Sequence, residues 1–177
     1  MNILFQRMLR AAKLDPNLYE EVEHDKSLLK QAMLVIILSS LAAGIGAMGV
    51  KGGISLIATT VAALIGWVIW AFIVYFVGVK LLPTPETESS PSELLRTIGF
   101  SSSPGVIRIL GIVPGLFNIS SFIAQVWMLA AMVIAVRQAL DYKSTGRAIL
   151  VCIIGWFIQA VIFMVLFMAF AHPQAGA

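Results

Sequence analysis

Charge is scarce in this chain. Asp, Glu, Lys and Arg make up 12% of its 177 residues, about half the share usual in soluble domains. Hydrophobic residues make up 59%, and the mean hydropathy is +0.94. A chain this short cannot enclose so much apolar surface in a water-exposed globule. A typical soluble enzyme, a nucleic-acid reader and a disordered adaptor are excluded. Cysteine is nearly missing as well: Cys152 stands alone in an apolar run, so an internal disulfide or a thiolate metal centre has no partner residues. A buried structural role fits it.

Acid–base groups are missing where chemistry in a bilayer would need them. The aspartates are Asp15, Asp25 and Asp141, every glutamate falls before Lys26 or between Pro83 and Glu93, and His24 and His172 lie outside the centres of the apolar runs. Aspartyl, serine or metal-dependent hydrolysis inside a membrane requires such groups within the spans. These absences point to a non-enzyme that carries no cofactor and no metal.

What the chain does have is apolar runs of membrane-crossing length. A bilayer core about 30 Å thick takes roughly 20 helical residues, and strand-like alternation is absent, so helices are the spanning element. The expectation is an all-α integral membrane protein, a five-transmembrane-helix bundle with spans near residues 31–50, 54–79, 98–113, 119–137 and 148–171. The third and fourth of these divide a 40-residue stretch, Thr97–Val136, at Pro114-Gly115 and Asn118, which supply turn chemistry. A re-entrant segment in place of the third is the competing reading. Charge asymmetry favours five spans. It puts Arg7, Arg10, Lys13, Lys26, Lys30, Lys80, Arg96, Arg137, Lys143 and Arg147 on one side and leaves Lys51 on the other. The amino terminus is then cytoplasmic, and a short tail, 172–177, is external. The first span is expected to be retained, because Glu20, Glu21, Glu23 and Asp25 precede it, whereas signal peptides begin with short basic segments.

Residues 1–30 form a cytoplasmic arm in this reading. Its first 14 residues put Ile3, Leu4, Phe5, Met8, Leu9 and Ala12 on one helical face and Gln6, Arg7, Arg10 and Lys13 on the other. Such a helix either lies in the headgroup plane, with Phe5, Arg7, Met8, Arg10 and Lys13 meeting anionic lipid, or packs on the protein itself. Asp15-Pro16 reads as the cap and first residue of a second, acidic helix. The loop 83–93, proline-rich and acidic, is expected to be disordered.

The candidate functional residues follow from position. Arg108 lies within the third run and costs about 2.5–3.5 kcal/mol at a span centre. It either snorkels to the surface or contacts an anion or lipid headgroup, with Gln125, Gln159 and the Leu110 carbonyl freed by Pro114 as further partners. Arg96, Arg137, Asp141, Lys143 and Arg147 form a candidate cytoplasmic partner surface, in which Arg137 and Asp141 are one helical turn apart and able to pair. Ala58, Ala62 and Gly66, and likewise Ala131, Ala135 and Ala139, repeat every four residues and suit close helix packing. Met128/Met132 and Met164/Met168 fit gap-filling better than copper binding.

The run from LLRTIGFSSSPGVIRILGIVPG to VWMLAAMVIAVRQALDYKSTGRAI resembles the Yip family of Ypt/Rab-interacting membrane proteins, in its compact bacterial-type branch. Arg96-Thr97, Gly99-Phe100, Pro104, Pro114, Trp127 and Arg137 with the basic turn after it carry the likeness. The resemblance implies five spans, a cytoplasmic amino terminus and action through protein or lipid partners, including a membrane-protein partner or a second copy. The short arm implies a bacterial inner membrane. The Asp-Leu-Tyr-Gly-Pro run of eukaryotic members is replaced by NLYEEV around Leu18-Tyr19, so the resemblance does not extend to GTPase binding. A small transporter, channel or lipid-handling protein built on Arg108, Gln125 and Gln159 is the alternative.

Overall fold

A computed structural model describes residues 3–51 and 56–171. The tail 172–177 and the first two residues of the span expected at 54–79 lie outside the described residues. All regular structure among the described residues is helical. The arm holds α1 (Ile3–Ala12) and α2 (Pro16–His24), then a 3-10 turn at Lys26–Leu28. The bundle follows with α3 (Leu29–Lys51), α4 (Leu56–Tyr75, continued by π-helical turns through Leu81), α5 (Pro91–Ser101), a 3-10 segment (Ser103–Ile112), α6 (Phe117–Ala139) and α7 (Thr145–Ala171). Among the described residues, four helical stretches are long and apolar enough to cross a membrane: Lys26–Met48, Leu56–Leu81, Phe117–Ala139 and Thr145–Val165. They coincide with four of the expected spans.

The remaining expected span, at 98–113, is built differently. Its chain enters as the last residues of α5 and continues in 3-10 geometry. Runs of 3-10 helix longer than a turn or so are uncommon, and here neighbouring backbone explains one. Gly99 packs on Ala32, Gly105 on Ser39, and Gly111 on Gly46. This register is parallel to α3. From Ala32 to Gly46, α3 rises about 21 Å, and the 3-10 rise of about 2 Å per residue lets Gly99–Gly111 keep pace with it. A Cβ on Gly46 would collide with the Arg108 carbonyl, so glycine is required for this approach.

Local chemistry sets the helix ends. Asp15 caps α2 through its side chain and the Asn17 N–H, with Pro16 in the first turn, as the sequence predicts. The loop 83–93 was expected to be disordered, but its last residues open α5. Ser90 and Glu93 form a reciprocal capping box around Pro91, satisfying two otherwise orphaned backbone donors. Helices α1 and α6 both end in Schellman motifs: Leu14 (φ 62°) and Asp141 (φ 52°) take the left-handed position usually held by glycine. Between the 3-10 segment and α6, Val113-Pro114-Gly115-Leu116 makes the expected turn. Gly115 has φ 86° there, and the Leu116 N–H donates to the Val113 carbonyl.

Core burial is concentrated at the end of the bundle that carries the arm. Leu18, Tyr19 and Val22 of α2, Leu94, Ile98 and Phe100 of α5, and Val136, Ala139 and Leu140 are sealed from solvent. The Trp127 indole N–H donates to the Ala12 carbonyl at 2.7 Å, tying α1 to α6. The Tyr142 hydroxyl donates toward the carbonyls of Gly78 and Leu82 below the π-helical turns. Of the two small-residue ridges, Ala131, Ala135 and Ala139 are fully buried, whereas Ala58 and Ala62 are exposed. The outward faces of α6 and α7, with Ile119, Ile123, Val161 and Phe163, are apolar and exposed, as a lipid-facing surface requires.

Candidate functional site

Polar groups inside the bundle gather around Arg108. Its Nε donates to the Gly105 carbonyl at 3.0 Å, and its Nη2 donates to the Ser39 carbonyl at 3.1 Å and to Ser39 Oγ at 2.7 Å. The expected Leu110 carbonyl is not the partner, because the Val113 N–H takes it. From a backbone carbonyl level with Gly46, the side chain runs back towards the arm end as far as Ser39, the direction a snorkelling arginine takes. It turns across to α3, and Ser39 lies ten residues into that 23-residue helix, about 15 Å from its start. Gly105 makes this possible, since a Cβ there would press on Ser39 Oγ, the Arg108 guanidinium and Met128 Sδ.

The guanidinium opens on a cavity of ≈1460 Å³ between α3, α4, α6 and α7, which is open to the outside of the bundle, with Phe122, Leu129, Trp156 and Phe157 on its exposed margin. Its walls are mainly apolar, with Trp67, Trp70, Phe122 and Trp156 among them, and its polar lining includes Ser39, Ser40, Arg108, Gln125 and Gln159. Arg108, Gln125 and Gln159, singled out in the sequence, thus line one cavity. Gln125 lies 14 residues before the end of α6 and Gln159 lies 14 residues after the start of α7, so both sit about 21 Å from the arm end along their helices. Met128 and Met132 line the same space, and Met132 Sδ accepts the Trp70 indole N–H.

Sequence reasoning missed the hydroxyl set beside Arg108. Ser40 bonds the Ile37 carbonyl and Thr60, joining α3 to α4, while Ser39 holds the arginine. The adjacent serines in an otherwise apolar run were the available signal.

The residues proposed for a cytoplasmic partner surface do not form one patch. Arg96 is 2% exposed. It donates from Nε to the Val22 carbonyl at 2.9 Å, from Nη2 to the Glu23 carbonyl, and from Nη1 to Ser92. It clamps the C-terminal turn of α2 to α5, a placement that also suits the negative end of the helix dipole. Arg137 and Asp141 do not pair, because α6 ends at Ala139 and Asp141 turns into the left-handed position. Arg137 instead donates to the Tyr142 carbonyl and Thr145. Lys143 bonds Glu86 at 2.6 Å, and Arg147 is exposed.

The arm's cations are drawn inward. Arg7 pairs with Glu21 and reaches Gln31, and Arg10 pairs with Asp15 and Glu21. Hydrogen bonding to Arg10 holds the Asp15 and Glu21 carboxyls below their usual range. Phe5 is half exposed, Lys13 is exposed and Met8 is partly buried against the core. Glu23 behaves in the opposite way: burial first, then the charge of Asp141, pushes its carboxyl up to about 7.

The family model for the Yip1 domain matches residues 17–167, from the start of α2 almost to the end of α7. The chain belongs to the Yip1-domain family. The match takes in both the arm's second helix and every element that lines the cavity. No curated protein and no solved structure matches this Yip1-domain chain.

Proposed function

We propose that this Yip1-domain protein is a non-catalytic membrane protein that acts by protein–lipid interaction, admitting lipid from the bilayer into the cavity beneath Arg108. The observation that carries this reading is the cavity itself. A void of ≈1460 Å³ with mostly apolar walls is larger than the pockets of about 300–1,000 Å³ that hold small ligands, and in a membrane the surrounding medium that fills it is lipid. The cytoplasmic residues, by contrast, are largely engaged by one another, which disfavours that surface as the working site.

The reading includes five crossings, with α5 and the 3-10 segment as the third. Parallel register with α3 over about 21 Å supports it, as does the charge asymmetry of the sequence. The arm is then cytoplasmic and the tail after α7 external, in a bacterial inner membrane. The alternative, a small transporter or channel moving lipid or solute along the cavity, draws on the three polar side chains within the span region. A membrane-protein partner or a second copy would meet the exposed apolar faces of α4, α6 or α7.

Purification in a mild detergent followed by non-denaturing mass spectrometry tests the lipid reading. Retained lipid in the wild type and less of it in Gly66→Leu, which fills the cavity, is the expected result. A wild type that carries no lipid under conditions preserving the fold overturns it. A tag after Ala177 labelled from the external side tests the topology.

A further inference from the structure

Resting on the lipid reading, we propose that the cavity selects a phospholipid of net negative charge, whose headgroup oxyanion docks on Arg108. Among the described residues, the hydrogen bonds of Arg108 go to neutral acceptors on Gly105 and Ser39. No ion pair of Arg108 occurs among the described residues, and none can come from elsewhere in the spans, because every Asp and Glu of the chain lies outside them. The charge is therefore held near mid-depth of α3 with its counter-ion missing. A cation in hydrocarbon is unfavourable unless an anion, water or strong dipoles answer it, and an oxyanion accepting from a guanidinium makes one of the stronger hydrogen bonds available.

The surroundings fit that ligand on three counts. Gln125 and Gln159 bring carboxamide N–H donors to the facing walls of the same cavity, and such groups complete an oxyanion's hydrogen bonding. The apolar walls from α4, α6 and α7 accept acyl chains. The same absence of carboxylates that leaves Arg108 unpaired also leaves nothing to receive the ammonium of a zwitterionic headgroup. Selection for net negative charge follows from what the site lacks as much as from what it has. Arg108 is also held firmly: its carbonyl packs on Gly46 and its guanidinium on Ser39, so the donors are aimed before the ligand arrives.

The test reconstitutes full-length protein into vesicles of equal parts phosphatidylglycerol and phosphatidylcholine, extracts it in mild detergent and quantifies the lipid retained. The wild type is expected to keep phosphatidylglycerol in severalfold excess. Arg108→Gln should hold both lipids equally, Arg108→Lys should keep most of the preference, and Gly66→Leu should lose total lipid without changing the ratio. A wild type that retains lipid in the ratio supplied overturns the headgroup assignment while leaving the lipid reading standing. A wild type that retains none overturns both. A phosphatidylglycerol with a photoreactive headgroup gives a readout that does not depend on the variants folding. Crosslinks to 102–108 or to 39–43 support the site, and crosslinks confined to the arm overturn it.

Discussion

The two ends of the bundle are built on opposite principles. At the arm end, large side chains are fully enclosed and backbone groups at helix termini find partners. Arg96 donates to two carbonyls of α2, the Tyr142 hydroxyl shares its proton between the Gly78 and Leu82 carbonyls at the end of the α4 extension, and Ser90 and Glu93 cap α5. Beyond it, the helices part around a cavity, and the strongest polar group, Arg108, has no acidic partner. Each arginine donates to two carbonyls and one serine hydroxyl, but Arg96 is sealed at a helix C-terminus, whereas Arg108 borders open volume and is positioned to receive something. The side chain is the same in both places, and the surroundings assign the role.

That contrast can be broken hardest at Arg96. Arg96→Ala should lower stability by about 3 kcal/mol, the cost of leaving buried carbonyls unanswered, and should loosen α2 enough to raise proteolysis in the arm. Thermal unfolding in detergent and limited proteolysis check this. A loss below about 1 kcal/mol would show that the clamp is not needed. Next comes Gly46→Leu, which should cost about 1–3 kcal/mol by overpacking and push the 3-10 segment away from α3. The matching Gly66→Leu should change stability by under about 0.5 kcal/mol, since a Cβ at Gly66 meets nothing within 4 Å. Comparing the two melting curves sharpens the difference between a packed position and an open one. Between these two, Tyr142→Phe should cost about 1 kcal/mol, read in the same assay.

Protonation offers a milder way to separate the ends. The Glu23 carboxyl has a folded value of about 7 against an ordinary value of 4.5, so the folded arm binds its proton more tightly than the unfolded arm does. The stabilisation is complete below about pH 4.5 and is lost as pH rises through about 7. Asp141, Glu93, Glu20 and His24 contribute to the field at this carboxyl. Hydrogen exchange in α2 should therefore speed up between pH 5 and 8 beyond its intrinsic dependence, and Glu23→Gln should remove that excess. Exchange within α6 around Gln125 should not share it. An arm whose protection ignores pH would sink the prediction.

Much of the molecule was readable residue by residue where the governing interaction is local. Asp15-Pro16 starts α2 because an aspartate oxygen and a proline ring act within two residues, and Pro114-Gly115 turns the chain for the same kind of reason. Ser90-Pro-Ser-Glu93 carried an equally local signal, but it was hidden inside a loop whose acidic, proline-rich composition suggested disorder. The expected third span takes a form that the sequence did not show, for a different cause. Hydropathy counts apolar residues and is blind to rise per residue, so the segment around 98–113 read as a single α-helix. Its stretched 3-10 form depends on a neighbour, through the contacts of Gly105 and Gly111 with α3. The Arg137–Asp141 pairing failed because it assumed that α6 continued to Asp141.

By itself, the sequence determined that the protein is helical, membrane-bound and of the Yip1 domain, and that its long apolar runs hold no carboxylate. Those properties depend on composition and on short-range order along the chain. Only the tertiary structure decided that Arg96 is enclosed and Arg108 opens on a cavity, and that Gln125 and Gln159 join it there. Burial and charge compensation are set by atoms from other helices, and their distances cannot be read from spacing along one strand of sequence.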